Sequence, residues 1–107
     1  MGAAEILGLE PIVVGDFSVE AQKFQASYKG KNLRLTKSEF IILYCLLRKK
    51  GFVVSRNALL DAVSGGASIV DRNIDVHIYA LRKKIGCRRH LIKTVRSLGY
   101  RLDDGVS

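Results

Sequence analysis

Two hydrophobic periods divide this chain. Before Thr36 apolar residues recur weakly at every second position, and after it they recur at every third and fourth. The only proline, Pro11, precedes Ile12-Val13-Val14-Gly15, which reads as the start of a strand. Phe17-Ser18-Val19 and Lys23 to Tyr28 alternate, Lys29-Gly30-Lys31-Asn32 has turn chemistry, and Leu33-Arg34-Leu35 alternates again. Residues 12–35 are therefore expected to form a small antiparallel sheet of short strands. Thr36-Lys37-Ser38-Glu39 then has the spacing of a capping box: the Thr36 side chain can accept from the Glu39 amide while Glu39 reaches back. Phe40, Leu43, Tyr44 and Leu47 supply a helical stripe, and Ile41, Ile42, Cys45 and Leu46 fill its other sides. A helix apolar all round is a buried, central one. Arg48-Lys49-Lys50 suits its C-terminal dipole, and Gly51 suits its stop.

Phe52-Val53-Val54 reads as a brief extended link. Ser55 suits the cap of a second helix, from Arg56 to about Val63, with Leu59, Leu60 and Val63 facing inward. Ser64-Gly65-Gly66-Ala67-Ser68 breaks it. A third helix is predicted over residues 71–85, capped by Ser68 or Asp71 and ended by Gly86. At about 100° per residue its Ile74, Ile78, Leu81 and Ile85 fall within about 60° of one another and form the core stripe. Leu91 to Val95 and Tyr100 to Leu102 read as two strands joined through Arg96-Ser97-Leu98-Gly99, a basic β-hairpin.

Composition adds bounds. The 107 residues are 48% hydrophobic and 26% charged, which suits one globular domain. The expected division is 1–11 as a leader or linker remnant, or as added residues; 12–102 as the folded domain; and 103–107 as a tail. No apolar run has the length of a membrane span, and MGAAEILGLEP carries acids and no basic stretch of a secretory leader. Gly2 suits a myristoylation start, but residue 6 is Ile where that motif has Ser or Thr. Cys45 sits in an apolar run and reads as a buried thiol. Cys87 sits beside Arg88 and Arg89, which would lower its pKa and permit a sensing role. Two cysteines without a CxxC spacing suit a reducing compartment, hence the cytoplasm.

Charge changes the picture more. The formal net charge is +8, and from Val76 to Leu102 there is no Asp or Glu, while Arg82, Lys83, Lys84, Arg88, Arg89, Lys93, Arg96 and Arg101 contribute eight cations. The other ten Lys/Arg are matched by all ten Asp/Glu. A solvated lysine-rich face is the plain alternative, yet such faces usually mix signs, and a single-sign field on a small domain points to a polyanion. On the third helix, the face opposite the core gathers Arg72, Asn73, Val76, Tyr79, Ala80 and Lys83. Cations and an amide with apolar groups are what major-groove reading uses. Asp75 and Arg82 lie together on the flank, where a surface ion pair or an orienting contact is expected, and His77 points to the core boundary. A hairpin with Arg96 at its tip suits the minor groove, and Lys93 and Thr94 suit phosphate contacts.

These residues also carry a resemblance. Asp71 to Ile85, DRNIDVHIYALRKKI, and Thr94 to Tyr100, TVRSLGY, resemble the C-terminal effector domain of OmpR/PhoB-type response regulators. Leu35-Thr36-Lys37-Ser38-Glu39-Phe40 resembles the start of that family's first helix. The match covers residues 12–102. It implies an α+β winged helix-turn-helix, with an N-terminal four-stranded antiparallel sheet, three helices and a C-terminal β-hairpin wing. It implies promoter DNA binding in transcription control, with Arg72, Asn73, Val76, Tyr79, Ala80 and Arg82 at DNA-facing or phosphate-facing places, and Thr94, Arg96 and Tyr100 at wing contacts. Homodimers on DNA repeats and a contact of the 64–70 loop with RNA polymerase are further implications. Ser97 stands where the family's wing commonly has Gly, the Trp typical before the 64–70 loop is missing, and the family's phosphoaccepting receiver domain has no counterpart here. The chain is thus expected to be a fragment of a two-domain regulator or a stand-alone binder.

Sequence-specific double-stranded DNA binding is the favoured reading; a winged-helix module for protein contacts without base reading is the alternative. No carboxylate pair, nucleophilic triad, metal cluster or phosphate-cradling loop stands at workable spacing, so neither an enzyme, a cofactor nor a metal is expected.

Overall fold

The structure, a computed structural model, describes residues 11–65 and 73–103, apart from the side chains at 87–89. The N-terminal alternation forms four antiparallel strands in sequential order: β1 (Ile12–Val14), β2 (Phe17–Glu20), β3 (Gln25–Tyr28) and β4 (Lys31–Asn32). Val14 pairs with Phe17 and Tyr28 with Lys31 across tight two-residue turns, while Glu20 pairs with Gln25 across the longer β2–β3 connection. Phe17 and Val19 point inward and Ser18 and Glu20 outward, the two-residue period of a half-buried sheet. A 3-10 turn at Ala21–Lys23 lies between β2 and β3, and the two-residue pattern had not announced it.

The first helix, α1 (Lys37–Arg48), begins as its sequence requires. Thr36 Oγ1 accepts from the Glu39 amide at 3.2 Å, and Glu39 Oε1 accepts from the Thr36 amide at 3.0 Å. It is buried on nearly every side, from Glu39 to Leu47, and forms the centre of the core with Phe17, Val19, Leu59, Ile78, Leu81 and Leu102. Cys45 is only half-buried, packed against the edge of this core. Burial still pushes its thiol pKa up, against the nearby charge of Arg48.

The second helix, α2 (Arg56–Ser64), is capped by Ser55, whose Oγ accepts from the Ala58 amide at 3.0 Å. Gly65 ends it at φ 58°, a left-handed conformation natural to glycine. The third helix, α3 (Ile74–Ile85), starts later than the sequence suggests. Its N-cap is Asn73, whose Oδ1 accepts from the Val76 amide at 3.3 Å; Asp71 and Arg72 lie outside the described residues. Ile74, Ile78, Leu81 and Ile85 are the buried stripe, as the period predicts, and Gly86 ends the helix.

The chain then passes through a 3-10 segment, Gly86–Leu91, into the hairpin of β5 (Ile92–Val95) and β6 (Gly99–Leu102). The hairpin does not stand free. Val54, in the α1–α2 link, exchanges two backbone hydrogen bonds with Tyr100, at 2.7 and 3.0 Å, and the Gly51 amide donates to the Leu102 carbonyl at 2.9 Å. The architecture is a winged helix-turn-helix, with the four-stranded sheet before the helices and the hairpin as wing. Among the described residues no helix is long and apolar enough to cross a membrane.

Candidate nucleic-acid interface

Burying the Ile74–Ile85 stripe turns the opposite side of α3 outward. Val76 is 53% exposed and Tyr79 65%, high values for large apolar side chains on an ordered helix. Lys83 is exposed one turn further on, with its Nζ 5.5 Å from the centre of the Tyr79 ring. Ala80 is half-buried beside them. Arg72, predicted for this face, lies outside the described residues, as does most of the 64–70 loop.

The remaining predicted residues of the helix have work within the fold. Asn73 is exposed, but its amide oxygen caps the helix. Arg82 is half-buried. Its Nε and Nη2 donate to the Ile92 carbonyl at 3.0 and 2.7 Å, and Nη2 also donates to Thr94 Oγ1 at 3.0 Å. The expected Asp75–Arg82 ion pair is replaced by two separate arrangements, because the wing offers Arg82 a carbonyl and a hydroxyl as acceptors. Asp75 pairs instead with Arg56 Nε at 2.9 Å, a residue 19 positions away with no local signature to single it out. The Tyr100 hydroxyl also donates to Asp75 Oδ1.

Tyr100 is 3% exposed, so its place is inside the junction of α2, α3 and the wing, away from the outer wing surface assigned to it from sequence. Its ring lies beneath two guanidinium groups, Arg56 at 5.1 Å and Arg82 at 5.7 Å. The hydrogen bonds from Tyr100 and Arg56 hold the Asp75 carboxyl below the usual carboxylate range, and burial followed by the bond to Asp75 pushes the Tyr100 hydroxyl up. The single acid on α3 is thereby matched by a cation at a surface that otherwise carries positive charge.

The cation-rich segment divides in the same way. Lys84 turns inward and donates to Glu39 Oε1 at 2.6 Å and to the Arg34 carbonyl at 3.1 Å. Burial disfavours the charged Glu39, yet Lys84 and the Thr36 amide outweigh it and hold the carboxyl below its ordinary range. Lys93 and Arg101 approach Asp103 at 3.3 and 3.5 Å. The side chains of Cys87, Arg88 and Arg89 are outside those described. Lys83 on the helix, with Lys93, Thr94 and Arg96 on the wing, are exposed. At the wing tip Ser97 has φ 68°, the left-handed conformation glycine favours, so this chain keeps the backbone turn without the glycine.

A winged helix-turn-helix that turns an open, cation-bordered face of its third helix outward beside a basic wing is the class of protein this arrangement defines. Comparison with known proteins narrows it. Residues 30–102 match the family model described as "Transcriptional regulatory protein, C terminal". The response regulator PmrA of Pseudomonas aeruginosa is 35% identical over 96 residues, covering 89% of this chain and 42% of that protein. The alkaline phosphatase synthesis transcriptional regulatory protein PhoP of Bacillus subtilis is 41% identical over 97 residues, covering 87% of this chain and 40% of that protein. Among solved structures, the DNA-binding domain of CpxR from E. coli superposes with a TM-score of 0.76 at 34% identity, covering 91% of this chain and 99% of that one. The RstA DNA-binding domain of Klebsiella pneumoniae, solved in complex with RstA box, gives 0.74 at 31% identity, covering 89% and 98%. The chain belongs to this family of C-terminal domains of transcriptional regulatory proteins, of the OmpR/PhoB type. It spans about two fifths of the length of the curated relatives it matches.

Proposed function

We propose that the chain binds promoter DNA sequence-specifically in bacterial transcription regulation, with α3 in the major groove and the β5–β6 wing against the minor groove. The observation that carries this reading is the outward face of α3. It is uncovered by the rest of the described fold, and it exposes Val76, Tyr79 and Lys83 beside the exposed Lys93, Thr94 and Arg96 of the wing. Solvent alone gives no reason to expose a valine and a tyrosine together, whereas a groove holding methyl groups and polar base edges does. The RstA domain, 31% identical, was solved with its DNA box and supports the same use of the fold.

Val76, Tyr79, Ala80 and Lys83, with Arg72 preceding them, are the proposed major-groove set. Lys93, Thr94 and Arg96 are the wing set, and Asn73, Arg82 and Tyr100 hold these two sets in position. One recognition helix covers too few base pairs to define a genomic site, so two copies on repeated half-sites are part of the proposal. Contact of the 64–70 loop with RNA polymerase and a cytoplasmic location complete it.

Duplex binding measured over a series of salt concentrations tests this. Log affinity should fall linearly with log salt, and Lys83→Ala and Arg96→Ala should each lower the slope by about one if each contacts a phosphate. Absence of salt-dependent association would overturn the reading. Unchanged duplex binding in both variants, with loss of a protein contact, would favour a protein-interaction module.

A further inference from the structure

We infer that the α3 face formed by Val76 and Tyr79 selects thymine, through its C5-methyl group, over the other bases. The inference rests on the duplex-binding reading above and assigns the base chemistry of that same face.

Among the described residues of the α3 region, two polar side chains suited to base reading are already engaged within the fold. Specific purine reading in the major groove uses paired hydrogen bonds, from Arg or Lys to guanine and from Asn or Gln to adenine. The Asn73 oxygen is engaged by the Val76 amide. Arg82 directs both Nε and Nη2 into the Ile92 carbonyl and Thr94. The largest outward surfaces left are the side chains of Val76, 53% exposed, and Tyr79, 65% exposed. Lys83 lies one turn on, with its Nζ over the Tyr79 ring, and its flexible ammonium can serve a guanine or a phosphate without displacing the apolar surface of Val76 and Tyr79.

The largest apolar group on the floor of the major groove is the thymine methyl. Packing Val76 against a base edge without that methyl would remove polar atoms from water with nothing to replace their hydrogen bonds. Packing it against the methyl removes apolar surface from water on both sides. Val76 and Tyr79 are three residues apart on one face, about 4.5 Å along the helix axis. That distance is close to the separation of neighbouring bases on a strand, about 3.4 Å. Adjacent thymines are therefore the preferred step.

The test uses the tightest duplex recovered from a random pool by this protein, with its thymines replaced one at a time by deoxyuridine, which deletes only the methyl. At one or two positions the replacement should weaken binding about fourfold, the ratio that burial of one methyl-sized group corresponds to. Val76→Ala, a substitution at an exposed position that leaves the core stripe intact, should bind the thymine and deoxyuridine duplexes more nearly alike. Equal affinity of the unsubstituted protein for thymine and deoxyuridine at every position overturns the inference while leaving duplex binding intact, and so does recovery of sites without thymine. Failure to recover any site whose binding depends on salt overturns the duplex-binding reading itself, and the inference with it.

Discussion

Gly99 shows how a single residue joins sequence to site. It opens β6 at φ 150°, and a Cβ added there would clash with the Val54 carbonyl oxygen and lie 2.8 Å from Ser55 Cα. The close approach lets Val54 and Tyr100 exchange their backbone hydrogen bonds and so seats the wing on the α1–α2 link. Neither partner can retreat without breaking that pair. Gly99→Ala should therefore lower unfolding stability by about 2–3 kcal/mol in a denaturant titration, and a midpoint unchanged from the parent would contradict the seating. From sequence alone Gly99 reads as turn chemistry; its contact with a residue 45 positions earlier has no local signature. The same holds for Asp75 with Arg56, and for Glu39 with Lys84, which counts toward the cation field in sequence but belongs to the core boundary in three dimensions.

At the scale of elements, strong periodicity was legible and weak signals were not. The capping box and the all-round apolar pattern placed α1, and Ser55 placed α2. The start of α3 was misread because Ser68, Asp71 and Asn73 are all competent caps, and nothing local decides among them. The two 3-10 segments leave no periodic trace in so few residues. What the elements do together was equally hidden: Arg82 fastens the last turns of α3 to the first turn-facing strand of the wing through Ile92 and Thr94. That fastening sets the angle between helix and wing. Arg82→Lys keeps the charge but cannot span the carbonyl and the hydroxyl in the same fork. Duplex affinity should fall about five- to tenfold with the slope of log affinity against log salt unchanged, a pattern expected of a positioning residue. A lower slope would instead make Arg82 a direct phosphate contact.

Across the whole molecule, the charge asymmetry read from the sequence survives in a narrower form. The net charge of +8 arises in the segment from Val76 to Leu102. Within it Lys84 faces the core, Arg82 braces the wing, and Lys93 and Arg101 share Asp103. The outward contribution is concentrated where Arg82 ties α3 to the wing, while the four-stranded sheet packs against α1. The outward face of α3 was legible because helical geometry dictates which residues oppose a core stripe; the division between exposed and bracing side chains was not, because it depends on the wing folding back onto the helix. If the proposed function holds, a duplex meets this one surface. Amide chemical-shift mapping of the isotope-labelled chain during titration with a selected duplex examines this. The largest changes should fall at Val76, Tyr79, Lys83 and Arg96, with β1–β3 little affected; changes confined to the sheet, with α3 and the wing tip unmoved, would overturn the proposal.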